Sequence, residues 1–254
     1  MLTEAIRNLP LLSVAGLFLI LVIGGSVKGA LGIGLPLVSV PLAAQFLDLP
    51  VVIALLTVPM ITTNIGQTFE GGGTVRALRY LWPIMAALVL GTLAGVRRLF
   101  GMDRHLLYGI VGSALELLAV MMLCRPRTQL SSSTERWAGP VVGLISGLLG
   151  GMSGLFGPPL TFYLVGLGLE PDRFVKYIST LFLAATVTLL LALGGAGSMS
   201  VIDLLVSAAA TIPIQLGMLL GAWLRARIPP TVFRGTVLCV LALGGLDMLH
   251  RAFT

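Results

Sequence analysis

The sequence predicts an all-α polytopic membrane protein: two inverted five-segment repeats, broken helices or hairpins at glycine- and proline-rich motifs, and roughly eight to ten membrane segments. Three observations predict it. Hydrophobic residues make up 57% of the chain, only 10% of residues are charged, and the chain matches itself at a shift of about half its length. A soluble domain carries about a quarter charged residues, and the mean hydropathy here is +1.03.

The apolar residues come in blocks. Uncharged runs cover 8–27, 29–47, 49–69, 80–96, 137–169, 177–202 and 204–224, and a helix needs about 20 residues to cross roughly 30 Å of hydrocarbon. The stretches after Arg104 and Arg234 are also apolar, interrupted by Glu116 and Asp247. Barrel strands would alternate apolar and polar residues over about ten positions; no such alternation is present, so helices are expected. The first run follows Glu4 and Arg7 and outlasts the apolar core of a secretory leader, so it reads as a retained helix. Cys124 and Cys239 stand far apart with no CxxC spacing, which points to packing and to neither metal nor redox chemistry. The net charge of +6 comes from basic residues in short loops between apolar runs, the pattern of a membrane protein and not of a nucleic-acid binder.

The self-match defines the organisation. Gly29 and Gly32 match Gly154 and Gly157 at a shift of 125 residues; Gly91, Gly95 and Gly109 match Gly217, Gly221 and Gly235 at a shift of 126. Met122 and Leu123 match Met248 and Leu249 at that second shift. A first membrane repeat over 1–124, a polar linker over 125–137 with Ser131, Ser132 and Ser133 inside it, and a second repeat over 138–254 are therefore expected. The segments are 10–31, 35–47, 50–69, 80–98 and 105–123, then 138–157, 159–168, 176–195, 202–224 and 231–249. The second of each set is short and follows a Gly/Pro cluster, so it either continues a broken helix or turns back as a hairpin. Either way, parity puts ten basic residues on one side (Arg76, Arg79, Arg125, Arg127, Arg136, Arg173, Lys176, Arg225, Arg227, Arg234) and five on the other (Arg7, Arg97, Arg98, Arg104, Arg251). The positive-inside rule then makes the richer side cytoplasmic, which places both termini outside and inverts the halves relative to each other.

Gly24, Gly25, Gly29, Gly32, Gly34 and Pro36 crowd the end of the first segment, and Gly150, Gly151, Gly154, Gly157, Pro158 and Pro159 do so in the second half. Broken backbone at membrane depth is tolerated where protein buries it or where it lines a wet cavity, and broken helices in inverted-repeat transporters aim free N–H groups at anions. The alternative use of such glycines is close helix packing, which suits Gly91-x3-Gly95 and Gly217-x3-Gly221.

The run GSVKGALGIGLPLVSVP, the run GLLGGMSGLFGPPL and the segment TTNIGQTFEGG resemble the TauE/SafE family of sulfite and organosulfonate exporters over nearly the whole chain. The resemblance implies an inner-membrane secondary transporter that exports a small anion, such as sulfite, an organosulfonate or another sulfur-containing or carboxylate anion. It places Gly29, Gly32, Gly34, Pro36, Gly154, Gly157, Pro158 and Pro159 at the motif positions. Many members carry three or four successive glycines where this chain has Gly32, Ile33 and Gly34.

Lys28 is the basic residue inside a motif; it either faces a bound anion or snorkels to the interface. Asn64 and Gln67, three apart on one helix face, either donate to the anion or bond a neighbouring helix. Among Ser153, Ser179, Thr180, Thr186 and Thr188, Ser153 is the preferred hydroxyl because it sits in a motif, whereas helical Ser and Thr often bond their own backbone. Glu116, mid-segment, is the proton-coupling candidate. Asp247 is expected to pair with Arg251, and His105 and His250 to sit at the interface with no metal spacing. No cofactor is expected. The partners are the small anion, the bilayer and a coupling proton or sodium ion, with homodimerisation as a further option.

Two other function classes fit less well. Gly151-Met152-Ser153-Gly154 spells the G-x-S-G of intramembrane serine proteases, but His250 lies at the far end of the last segment, so no enzyme activity is expected. A non-transporting membrane subunit is the second. No Walker motif is present, which points to gradient-driven alternating access around a central site.

Overall fold

The computed structural model describes residues 1–70, 72–124, 132–225, 227 and 230–254, the side chains of 132–134, 225, 230–234 and 236 excepted. These residues form helices α1 (Leu2–Arg7), α2 (Leu11–Leu31), α3 (Leu35–Ala43), α4 (Leu49–Phe69), α5 (Thr74–Leu99) and α6 (Arg104–Cys124). The second half continues with α7 (Ser132–Ser153), α8 (Gly157–Gly166), α9 (Pro171–Gly195), α10 (Val201–Ala209), α11 (Thr211–Arg225) and α12 (Pro230–Phe253). Six spans are long and apolar enough to cross a bilayer: α2, α4, α5, α6, α9 and the run Val201–Leu224 through α10 and α11. Leucines such as Leu11, Leu19, Leu123, Leu191, Leu219 and Leu243 face outward, as lipid-facing side chains do. The chain is a multi-pass membrane protein.

Three boundaries differ from the expectation. α5 and α9 begin several residues early, because their first turns carry Arg76, Arg79, Asp172 and Arg173 and project past the apolar zone. The expected linker is helical from Ser132 onward, while its residues 125–131, with Arg125, Arg127 and Ser131, lie outside the described residues. The span 202–224 is kinked: Pro213 lacks an N–H and its ring crowds the carbonyl four residues back, on Ala209, which is where α10 stops.

The short second segments are hairpin arms. α3 turns back along α2: a methyl at Gly34 would sit 2.8 Å from Val27, one at Gly24 2.0 Å from Ser39 Oγ, and one at Gly16 3.4 Å from Phe46. α8 turns back along α7 in the same way, with Gly150 against Phe156 and Gly139 against Tyr163. Gly34, at φ 113°, makes the first break, a conformation closed to L side chains. Pro36 and Pro158–Pro159 then start the returning helices, where the missing N–H is free of cost.

Contacts between distant residues sort the helix ends. At one end, the Lys176 ammonium donates to the Glu70 and Gly72 carbonyls, and the Tyr80 hydroxyl donates to the Glu135 carboxylate. At the other, Arg104 pairs with Asp48 at 3.2 Å, Arg251 with Asp247 at 2.9 Å, and Asp203 with the amino group of Met1 at 3.5 Å. The first end holds Arg76, Arg79, Arg136, Arg173, Lys176 and Arg227; the second holds Arg7, Arg97, Arg98, Arg104 and Arg251. Trp82, Trp137 and Trp223 lie exposed toward the arginine-rich end, with the Arg227 guanidinium 3.9 Å over the Trp223 ring. α2 runs toward that end and α7 away from it.

The largest helix contacts cross between the halves: α5 on α7, α2 on α11, α6 on α12 and α4 on α9. Glycine seams permit the first two. Methyls at Gly25 and Gly29 would fall 2.2 Å from the Ile214 and Met218 carbonyl oxygens, and methyls at Gly91 and Gly95 2.3 and 2.4 Å from those of Leu144 and Leu148. Backbones approach this closely only where side chains are absent.

Candidate functional site

Lys28 lies near the end of α2, 2% exposed, and its ammonium donates a 2.6 Å hydrogen bond to Asn64 Oδ1, itself on a 2% exposed residue of α4. The pair borders a void of about 10 Å³, walled by Gly34, Leu35 and Pro36 from the first hairpin, Phe156 from the second, and Met60, Phe182 and Thr186. That volume holds about one water. Around the charge the walls are apolar, and the nearest polar neighbours are uncharged.

One helical turn beyond Asn64, Gln67 Oε1 accepts a 2.8 Å bond from the Ser179 hydroxyl on α9. Gln67, Gly29 and Gly32 form the floor of a cleft of about 860 Å³, whose upper walls carry Arg76, Arg173, Lys176, Glu70 and Asp172. Arg76, Arg173 and Asp172 are exposed, so the cleft opens at the arginine-rich end. Tyr177, in its wall, stacks on Tyr80 at 5.4 Å. The tip of the second hairpin lies in the interior: a methyl at Gly154 would sit 3.5 Å from Ile53, four residues into α4, and 4.0 Å from Val40, both fully buried. From the arginine-rich end inward, the side chains run from the exposed cations through the Gln67–Ser179 pair to the buried Lys28–Asn64 pair.

The family model described as Sulfite exporter TauE/SafE matches residues 17–248, a span that holds most of the first hairpin, all of the second, the Lys28–Asn64 pair and the cleft. The chain belongs to this family. Comparison with curated proteins and with solved structures finds no match. The family is one of sulfite exporters, and with its membrane-spanning helices the chain falls in the transporter class.

Within this TauE/SafE chain the expected site residues divide into three groups. Lys28, Gly34, Pro36 and Asn64 meet at the void; Gly29, Gly32 and Gln67 line the cleft floor. Gly154, Gly157, Pro158 and Pro159 form the tip of the second hairpin, where Gly157 faces Leu37 and Phe182. Ser153 is fully buried, but its hydroxyl donates to the Leu149 carbonyl at 2.7 Å and accepts from Leu155 N–H at 3.2 Å, so it caps the helix break. Thr180, Thr186 and Thr188 likewise bond the carbonyls four residues back. Ser179, ranked behind Ser153 in the sequence reading, is the hydroxyl that reaches a site residue. Glu116 stands apart, its Oε1 packed where a methyl at Gly245 would come within 2.5 Å, with no hydrogen-bond partner among the described residues. Asp247 pairs with Arg251 and also accepts a 2.6 Å bond from Gln45.

Sequence reasoning missed Phe156 and Phe182, which wall the void, and Arg76, Arg173 and Lys176 as parts of one mouth. Phe156 carried a signal, since it sits between the glycines of the second motif.

Proposed function

We propose that the chain is a secondary transporter, working as an exporter, of a small anion such as sulfite, an organosulfonate or another sulfur-containing or carboxylate anion. It moves by alternating access around a central site between two inverted repeats. The observation that carries the reading is Lys28: a buried cation held by one amide, between two hairpin tips, one helical turn below a cation-lined cleft. Supporting the repeats, α2 packs on α11 as α7 packs on α5, α4 pairs with α9 and α6 with α12, and α2 and α7 run in opposite directions. The arginine-rich, tryptophan-bearing end is cytoplasmic and both termini are periplasmic, in the inner membrane. The cleft accordingly opens toward the compartment from which an exporter loads.

The void is smaller than an oxyanion, so binding requires the hairpin tips to separate. A thermal-shift screen of the purified protein against sulfite, sulfonates, sulfate, thiosulfate and carboxylates identifies the substrate as the anion that raises the melting point. Reconstituted alone in liposomes, the protein moves that anion down its gradient. Binding without flux would make the chain a non-transporting subunit; neither binding nor flux with any of these anions would defeat the reading.

A further inference from the structure

Lys28 has three N–H donors, and among the described residues Asn64 Oδ1 is its one acceptor. Ion pairs among those residues join Met1 to Asp203, Arg104 to Asp48 and Arg251 to Asp247, and none involves Lys28. Among the described residues, no carboxylate of the elements around it pairs with Lys28. α3 and α4 contain no titratable residue, and α11 ends on Arg225. α9 carries Asp172, Arg173, Lys176 and Tyr177 in its first two turns. From Thr186, which lines the void, Asp172 is 14 residues distant, roughly 21 Å of helix. Glu70 follows Asn64 by six residues, roughly 9 Å of helix rise. The α8 tyrosine, Tyr163, bonds Glu135 at the arginine-rich end.

A lone ammonium in a dry apolar site is a large electrostatic imbalance. Two events remove it: departure of a proton, or arrival of an anion. They are mutually exclusive remedies, and that makes anion occupancy and protonation of the same nitrogen interdependent.

Resting on the anion-transport reading, we propose that Lys28 is the coupling group of the transporter: its amine takes up one proton as it takes up the anion, and releases both together. In the loading step the Nζ lone pair accepts a proton that arrives through the wet cleft, and the resulting ammonium holds the anion. In the unloading step the anion leaves, the N–H bond breaks, and the proton follows into the same compartment. A monovalent anion then crosses without net charge, accompanied by one proton moving in the same direction.

Methanesulfonate, whose charge is constant near neutral pH, is the probe. Liposomes containing the full chain, an internal pH dye and a potential-sensitive dye receive a methanesulfonate gradient. One proton accompanies each anion and no potential develops. Methanesulfonate binding weakens about tenfold per unit rise in pH wherever the empty site is deprotonated. Lys28→Arg, with a side chain that keeps its charge, binds methanesulfonate independently of pH and moves no proton. Should that variant fail to fold, calorimetry of the unsubstituted protein in two buffers of different ionisation enthalpy still reads the proton, with one taken up per methanesulfonate bound. Methanesulfonate movement accompanied by less than about a tenth of a proton would overturn the proposal while leaving the transport reading intact. So would a Glu116→Gln protein that binds methanesulfonate normally and has lost the proton. No movement of methanesulfonate by the unsubstituted chain overturns the coupling proposal, and the transport reading falls with it when the other screened anions also fail.

Discussion

Hairpin α2–α3 and hairpin α7–α8 share a shape and differ in chemistry at one matched position. Lys28 and Ser153 stand 125 residues apart, the shift at which Gly29 and Gly32 match Gly154 and Gly157. Lys28 reaches out of its hairpin to Asn64 on α4, whereas Ser153 closes on Leu149 and Leu155 inside its own. The returning arms differ too. α8 opens with two prolines, which contribute no N–H, and α3 with one. One hairpin therefore carries the charge and the other supplies an apolar wall through Phe156. The lesson is that two hairpins of one backbone plan differ in the side chains they bring to the void.

The scaffold half of this comparison breaks most severely. Gly25→Val and Gly147→Val each force a side chain against a helix backbone, where even a methyl would lie 2.2 Å from the Ile214 or Leu88 carbonyl oxygen. Each costs about 3 kcal/mol or more, read as lost thermal stability in detergent, and the two losses are similar because the seams are alike. The chemical half separates the hairpins. Lys28→Met weakens binding of the screened anion by about 30-fold or more, while Ser153→Ala leaves affinity within about twofold; equal effects in a binding assay would erase the distinction. Asn64→Ala follows with about a tenfold loss, smaller than that of Lys28→Ala, since an amide orients the cation without being the charge. Smallest is the mouth: Arg76→Gln with Arg173→Gln slows anion association about threefold at low salt, and the difference disappears at about 1 M salt.

Most of the fold was legible because lipid imposes a simple rule, a block of apolar residues per crossing. The rule fails where a helix extends into water, and so α5 and α9 read short by the turns that carry Arg76 and Asp172. The choice between broken helix and hairpin depended on whether Gly24 meets Ser39, a tertiary contact that spacing within the motif does not encode. At the site, Lys28 and Asn64 were readable as polar residues in apolar runs, but not as a pair, because their bond joins helices 36 residues apart. Ser179 was harder still: its partner Gln67 is 112 residues away, and motif membership favoured Ser153. Arg76, Arg173 and Lys176 were legible as loop charges that set orientation. Their gathering into one mouth follows from the crossing of the halves.

The glycine seam between α2 and α11 carries a consequence for biogenesis. The surface of α2 that bears Gly25 and Gly29 has its partner in residues 211–225, which leave the ribosome last but for α12. At about 5–20 residues per second, the nascent first hairpin waits roughly 10 to 40 seconds in the bilayer with that face against lipid. Insertion and assembly are therefore separate events in this protein. A chain truncated after its first half would integrate yet remain without its packing partner, a substrate for membrane proteases unless the missing half is co-expressed.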